Sequence, residues 1–155
     1  MHSLTETTAP APTVSVVVPV YRGSKSIGQL QQRIDVALAA TPGDHEIIFV
    51  DDRGGDNSWE VIEALSRAPP HVHGVRLSRN FGQHAATLCG ISHARGEWIV
   101  TIDEDLEQPP ESIPAMLEKA DQLLVNFGAI TLLADRDSPA RSCCAGLMAK
   151  PAGST

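Results

Sequence analysis

Hydrophobic positions along this chain come in short unbroken runs separated by stretches of helical spacing. Val14-Ser15-Val16-Val17-Val18 is β-branched and nearly continuous, which predicts a strand buried on both faces of a parallel sheet. From about Ser26 to Ala40, Ile27, Leu30, Ile34, Ala37 and Leu38 recur at helical intervals. Glu46 to Val50 predicts a second strand, and Asn57-x-x-Glu60 has the form of a capping box for a helix that turns Val61, Ile62 and Leu65 inward. Val72 to Leu77 is a weaker third strand. Gly82 to Arg95 predicts a small-residue helix with Ala85, Leu88 and Cys89 on its packed side and Gly96 as its stop. Glu97 to Ile102 is a fourth strand. Pro109 to about Gln122 predicts one more helix, with Ile113, Met116 and Leu117 apolar.

Strand-helix alternation with short connections predicts an α/β domain, a mainly parallel sheet with helices on both faces. The domain covers residues 13–122. Residues 1–12, rich in Thr, Ala and Pro, are expected to be a flexible leader, and residues 123–155, where the pattern decays, a poorly ordered tail. A chain of 155 residues can bury a real core. No stretch has the length and apolarity of a membrane span, and the N-terminal segment lacks the basic start and apolar stretch of a signal peptide.

Charge narrows the functions. A net charge of −7 leaves no basic stripe to neutralise a nucleic-acid backbone, so phosphate must be met locally, by a metal or a few basic groups. Three cysteines, two of them the neighbours Cys143 and Cys144, offer no disulfide framework and make a reducing cytoplasmic setting the expectation.

In a parallel sheet, ligands bind beyond the carboxyl ends of the strands. Pro19-Val20-Tyr21, Asp51-Asp52, Arg79-Asn80 and Asp103 to Glu107 all lie there. Asp103, Asp105 and Glu107 follow the run Trp98 to Ile102 at period two, so their carboxylates would converge if the strand continued past Ile102. Such an oxygen donor set suits Mg²⁺ or Mn²⁺ shared with substrate phosphates. The plainer alternative is that acids ahead of Pro109-Pro110 favour the next helix's N-terminus. Tyr21 offers a platform for a base, or is only a half-buried packing residue. Asp51 and Asp52 can accept from ribose hydroxyls or a base N–H, while Asp56 reads as a helix cap. The Arg79 guanidinium can meet phosphate or pair with the acidic cluster. The first turn has one glycine, Gly23, which argues against a dinucleotide fingerprint, and no P-loop is present. His84, Cys89 and His93 are spread around one helix without a fourth ligand, so zinc is not expected there; His71 and His73 read as strand-edge residues.

Together these motifs resemble the nucleotide-sugar-binding half of family 2 glycosyltransferases, the Rossmann-like GT-A fold, and within it the polyprenyl- or dolichol-phosphate sugar transferases. The resemblance rests on Val16 to Tyr21, Val50-Asp51-Asp52 with Asp56-Asn57-Ser58, Leu77 to Ala86, Gly90, Ala94, Gly96 and Asp103 to Pro110. It implies that Pro19, Tyr21 and Asp52 contact the nucleoside with Asp51 alongside, that Asp103 lies near the ribose and donor, and that Asp105 and Glu107 bind the Mg²⁺ or Mn²⁺ bridging the diphosphate. It also implies a nucleotide-diphosphate sugar as donor, a polyprenyl phosphate as acceptor, and a peripheral position at the inner membrane face. It identifies no catalytic base.

Two positions depart from the family pattern: Arg22-Gly23 stands where an acid is usual, and Glu107 where Gln is common. Family members also continue well beyond this length, so the chain is expected to be a truncated or frame-shifted copy whose family-like part ends near Gln122. The competing expectations are a non-catalytic nucleotide-sugar-binding module and a receiver-like Mg²⁺-binding signalling domain. The latter wants its acidic pair after the first strand, whereas this pair follows the second.

Overall fold

The computed structural model describes residues 11–126 and 147–149. Five strands, β1 (Val14–Val20), β2 (His45–Asp51), β3 (Val72–Arg76), β4 (Trp98–Thr101) and β5 (Leu147–Ala149), form one sheet in the order β3-β2-β1-β4-β5. The first four run parallel. Short β5 adds an antiparallel edge to β4, an addition the sequence pattern did not anticipate. The expected leader apart from residues 11–12, and the expected tail apart from the end of the last helix and β5, lie outside the described residues.

Every residue of β1 is buried, as a central parallel strand requires. Its even-numbered valines, Val14 to Val20, pack with Ile27, Leu30, Ile34 and Leu38 of α1 (Ile27–Leu38), Ile62 of α2 (Ser58–Ser66), and Ile113 and Leu117 of α4 (Ile113–Asn126). Val17 faces the other way, toward Ala86 and Ile91 of α3 (Gln83–His93). The expected two-faced α/β sandwich is therefore present, with three helices on one side and one on the other.

Pro19 sits inside this central strand without disrupting it. Val17 O accepts from Ile102 N–H, so residue 19 also faces β4, whose paired length has already ended at Thr101. A missing N–H is least costly where the neighbouring strand has left.

Three local expectations are corrected. The inward face of α3 is Ala86, Gly90 and Ile91; Ala85 and Cys89 are only half-buried and Leu88 is 54% exposed. Gly90 decides this, because a Cβ there would lie 2.3 Å from Val17 Cγ1, so the helix seats its barest residue on β1. Gly96 is no helix stop: α3 ends at His93, and Gly96 N–H instead donates to Ser15 Oγ at 2.7 Å. The Asn57 capping box does not form. Asp56 caps instead, its carboxylate accepting from Ser58 N–H at 3.2 Å and from the Ser58 hydroxyl at 2.7 Å. The last helix runs to Asn126, a few residues beyond the expected end.

One buried charge ties the amino-terminal ends together. Glu46, 1% exposed, accepts from Ser15 Oγ at 2.6 Å, from Arg95 N–H at 2.7 Å, and from the Arg95 guanidinium at 3.0 and 3.1 Å. Burial alone would raise its carboxyl; the bonds from Ser15 and Arg95 outweigh that and hold it below the ordinary value of 4.5. A depressed carboxyl contributes stability that is present above the unfolded value and lost as pH falls through the folded one. Urea unfolding should therefore show Glu46→Ala less stable by about 1–3 kcal/mol near neutrality, since it removes the acceptor of the buried Ser15 hydroxyl and of the Arg95 N–H, while the half-exposed Arg95 guanidinium can turn to water. The difference from the parent should shrink below about pH 4.5, and a gap that stays constant through that range would contradict this account.

Candidate functional site

The loops after β1, β2, β3 and β4 meet at the carboxyl rim of the sheet. Tyr21 stands at the end of β1, 46% exposed, with the Arg22 guanidinium 5.4 Å from its ring centre. Pro19 is buried behind it in the strand. Asp51 ends β2 and Asp52 follows it, and both are buried. Asp51 pairs with Arg76 Nε at 3.2 Å and accepts from Arg53 N–H at 3.3 Å. Burial nevertheless leaves its carboxyl above the ordinary value, because those two partners only partly oppose the loss of water. Asp52 accepts from the backbone N–H groups of Phe81 and Gly82 at 2.8 and 3.0 Å, fixing the loop that leads into α3. Arg79 lies in that loop, exposed, with its guanidinium 4.7 Å from the Phe81 ring centre. Of the two roles expected for it, pairing with the acidic cluster is not seen among the described residues.

The acidic segment differs from its expected geometry. β4 stops at Thr101, and residues 103–107 form a turn rather than a continued strand, with Leu106 at φ +64°. Period-two convergence of Asp103, Asp105 and Glu107 is therefore absent. Each carboxylate takes its own position. Asp103 Oδ1 accepts from Gln83 Nε2 at 2.7 Å, Asp105 Oδ1 accepts from Glu107 N–H at 3.0 Å, and Asp105 and Glu107 are exposed. The donors remain all-oxygen and solvent-facing, which fits a hard cation that keeps waters and shares substrate phosphates, and does not fit zinc.

Glu104 was missed by sequence reasoning because it breaks the period-two pattern. It turns inward, its carboxylate accepting weakly from Tyr21 N–H at 3.4 Å. Burial raises its pKa, and the Asp103 and Asp105 charges add to that. It thereby couples the acidic turn to the aromatic platform. Ser58 was missed too: its hydroxyl, fully buried, receives Gly23 N–H at 3.0 Å while donating to Asp56, so the first and second loops share one anchor.

Among the described residues, three that are not glycine have left-handed backbone: Arg22 (φ +54°), Arg53 (φ +57°) and Leu106 (φ +64°). Each lies in a loop that follows a parallel strand at this rim, after β1, β2 and β4 respectively. Uncommon backbone of this kind is held only where surrounding contacts over-determine it, and it gathers at functional sites.

Gly54 shows how tightly the first two loops are joined. Arg22 Nε donates to Gly54 O at 2.8 Å, and a Cβ on Gly54 would lie 2.6 Å from the Arg22 backbone nitrogen. Backbone cannot give way as a side chain does.

Comparison with known proteins gives the family and the fold. The family model described as glycosyl transferase family 2 matches residues 15–133. An undecaprenyl-phosphate 4-deoxy-4-formamido-L-arabinose transferase of Klebsiella pneumoniae (strain 342) is 44% identical over 114 residues, 73% of this chain and 35% of that protein. Its namesake from Salmonella choleraesuis (strain SC-B67) is 42% identical over 115 residues, 74% of this chain and 35% of that protein. The chain thus spans about a third of the length of the curated relatives it matches. Among solved structures, the mannosyltransferase PcManGT from Pyrobaculum calidifontis, in complex with GDP-Man and Mn²⁺, aligns with a TM-score of 0.57 at 22% identity, covering 75% of this chain and 33% of that one. S. aureus TarS 1-349 in complex with UDP aligns with a TM-score of 0.53 at 22% identity, over 75% of this chain and 33% of its own. At that identity the likeness speaks for the fold alone, and the fold is the GT-A type that the sequence motifs implied.

Gly54→Ala should cost about 1–3 kcal/mol in urea unfolding, the usual range for forcing an atom into filled space. An unchanged midpoint would mean that the two loops are free to separate.

Proposed function

The chain belongs to glycosyl transferase family 2, and from that premise we propose that its carboxyl rim binds a nucleotide-diphosphate sugar. The whole protein would then pass the sugar to a polyprenyl phosphate at a membrane surface. The observation that carries this reading is the gathering of Tyr21, the Asp51-Asp52 pair and the acidic turn around a single rim, joined by Glu104 and Ser58. The names of the relatives, which are undecaprenyl-phosphate sugar transferases, favour the acceptor class, and the PcManGT complex favours a donor held with Mn²⁺.

In this reading Tyr21 presents its exposed ring to the base, with buried Pro19 stiffening the strand behind it. Asp51 and Asp52 lie at the nucleoside end. Asp52 acts through the Phe81 and Gly82 N–H groups that it holds, which sets the loop carrying Arg79 at the cleft mouth. Arg79, in no ion pair among the described residues, is available for a donor phosphate. Asp103, steadied by Gln83, lies toward the ribose. Asp105 and Glu107 would hold Mg²⁺ or Mn²⁺, whose chemistry is to offset the charge of a departing nucleoside diphosphate. The exposure of both carboxylates lets them meet a charged ligand without first losing a buried partner. No helix among the described residues is long and apolar enough to cross a membrane, and contact with a lipid phosphate at the inner membrane face is part of the proposal.

Calorimetric titration of UDP- and GDP-sugars with and without Mn²⁺ tests the donor half. The wild-type chain should bind one of them in a metal-dependent way, and Asp105→Ala should weaken that binding by roughly 100-fold, about 3 kcal/mol, with its circular dichroism and melting unchanged. If no donor binds more tightly with the metal, the reading fails. Sugar transfer to a polyprenyl phosphate by the full-length protein tests the acceptor half.

A further inference from the structure

At the opposite, amino-terminal end of the sheet, two imidazoles and a carboxylate converge from three elements. Asp35 comes from α1, His45 opens β2, and His71 immediately precedes β3. Asp35 Oδ1 lies 2.8 Å from His45 Nε2 and 2.8 Å from His71 Nε2. The two rings meet edge to face at 5.0 Å, and one ligand atom from each residue lies within 4.8 Å of the others. The side chains are 29%, 18% and 30% exposed for Asp35, His45 and His71, enough for an ion to enter and for a water to remain.

We propose that Asp35, His45 and His71 form a binding site for a borderline divalent transition metal of the zinc type, distinct from the hard-cation site at the donor rim. Four-coordinate zinc places its ligand atoms about 2.0–2.1 Å from the ion, so neighbouring donors stand roughly 3.3 Å apart. The two 2.8 Å separations, both to Asp35 Oδ1, need about half an ångström of spreading, and a ring nitrogen of each histidine lies within 4.8 Å of the other, so side-chain rotations on three separate elements would complete the site. Two imidazole nitrogens with one carboxylate oxygen select zinc or cobalt over magnesium and calcium. Three protein ligands leave the fourth position to water. The carboxylate already has the outer partner that such sites use to orient a ligand: Asp35 Oδ2 accepts from Gln31 Nε2 at 2.7 Å. A bound ion would clasp α1 to the leading ends of β2 and β3. The inference is independent of the donor reading, because it involves none of the rim residues.

The test is spectroscopic, on the full chain after chelator treatment. Cobalt(II) should bind one equivalent with the intense visible absorption of four-coordinate cobalt, without a thiolate charge-transfer band, and zinc should displace it. Asp35→Asn, His45→Ala and His71→Ala should each weaken binding by more than about 100-fold, and Gln31→Ala by roughly tenfold, as loss of an outer-shell partner does. Asp105→Ala and Cys89→Ser should leave the spectrum unchanged. Zinc should also raise the melting temperature of the wild type and not that of His71→Ala. Should a ligand variant fail to fold, the wild-type spectrum with Gln31→Ala still decides. Absence of a four-coordinate spectrum would reduce the trio to hydrogen bonds and overturn the proposal. So would a spectrum that survives His71→Ala or disappears in Cys89→Ser.

Discussion

The parallel burial of β1 between β2 and β4 is the constraint on which everything else depends. A strand covered on both faces must be apolar or have its polar groups bonded, as Ser15 is to Glu46, and its parallel neighbours must be reached by crossovers that lay helices over the sheet. Those crossovers return every chain segment to the same starting edge, so all four parallel strands end at one rim. Polar chemistry then has one place to gather without breaking the core. Tyr21, Asp52 and Asp103 are far apart in sequence, yet the topology alone brings the loops that bear them together.

What the topology gathers, a layer of local bonds makes rigid. Asp52 grips the Phe81 and Gly82 N–H groups, Ser58 joins Asp56 to Gly23, and Glu104 reaches the Tyr21 N–H. These contacts offset the backbone cost at Arg22, Arg53 and Leu106, which is on the order of 1–3 kcal/mol each. A rim held this way is organised before a ligand arrives, and less binding free energy is then lost to ordering loops.

The strands were legible because β-branched runs such as Val14 to Val18 have few alternatives, and the helices with large apolar residues were legible from their spacing. The face of α3 was not. Its contact with β1 is made by the absence of a side chain at Gly90, and periodicity counts side chains. Alternation also does not reveal where a strand stops: Asp103, Asp105 and Glu107 share a parity that matters only in extended backbone, and β4 ends before them. Asn57 and Asp56 compete for one cap, and the winner depends on Ser58 being drawn inward by Gly23. The cluster of Asp35, His45 and His71 was invisible for a different reason. Its members are 10 and 36 residues apart, and only the order of β2 and β3 in the sheet makes them neighbours.

That same strand, β2, organises the amino-terminal end on both faces. Ile47 and Phe49 pack on the side of α1, and Ile48 and Val50 on the side of α3. By alternation His45 belongs to the first side and Glu46 to the second. His45 accordingly meets Asp35 of α1, while Glu46 meets Arg95 beyond the end of α3. Two successive polar residues thus fasten the sheet to its helical layers in opposite directions. Because this anchoring lies at the far ends of the strands, the carboxyl rim can carry uncommon backbone and exposed acids without loosening the core. The two proposed ion sites lie at opposite ends of β2, seven residues at about 3.3 Å each, and the chemistry of their donors, imidazole nitrogen at one and carboxylate oxygen at the other, is what would direct different ions to them.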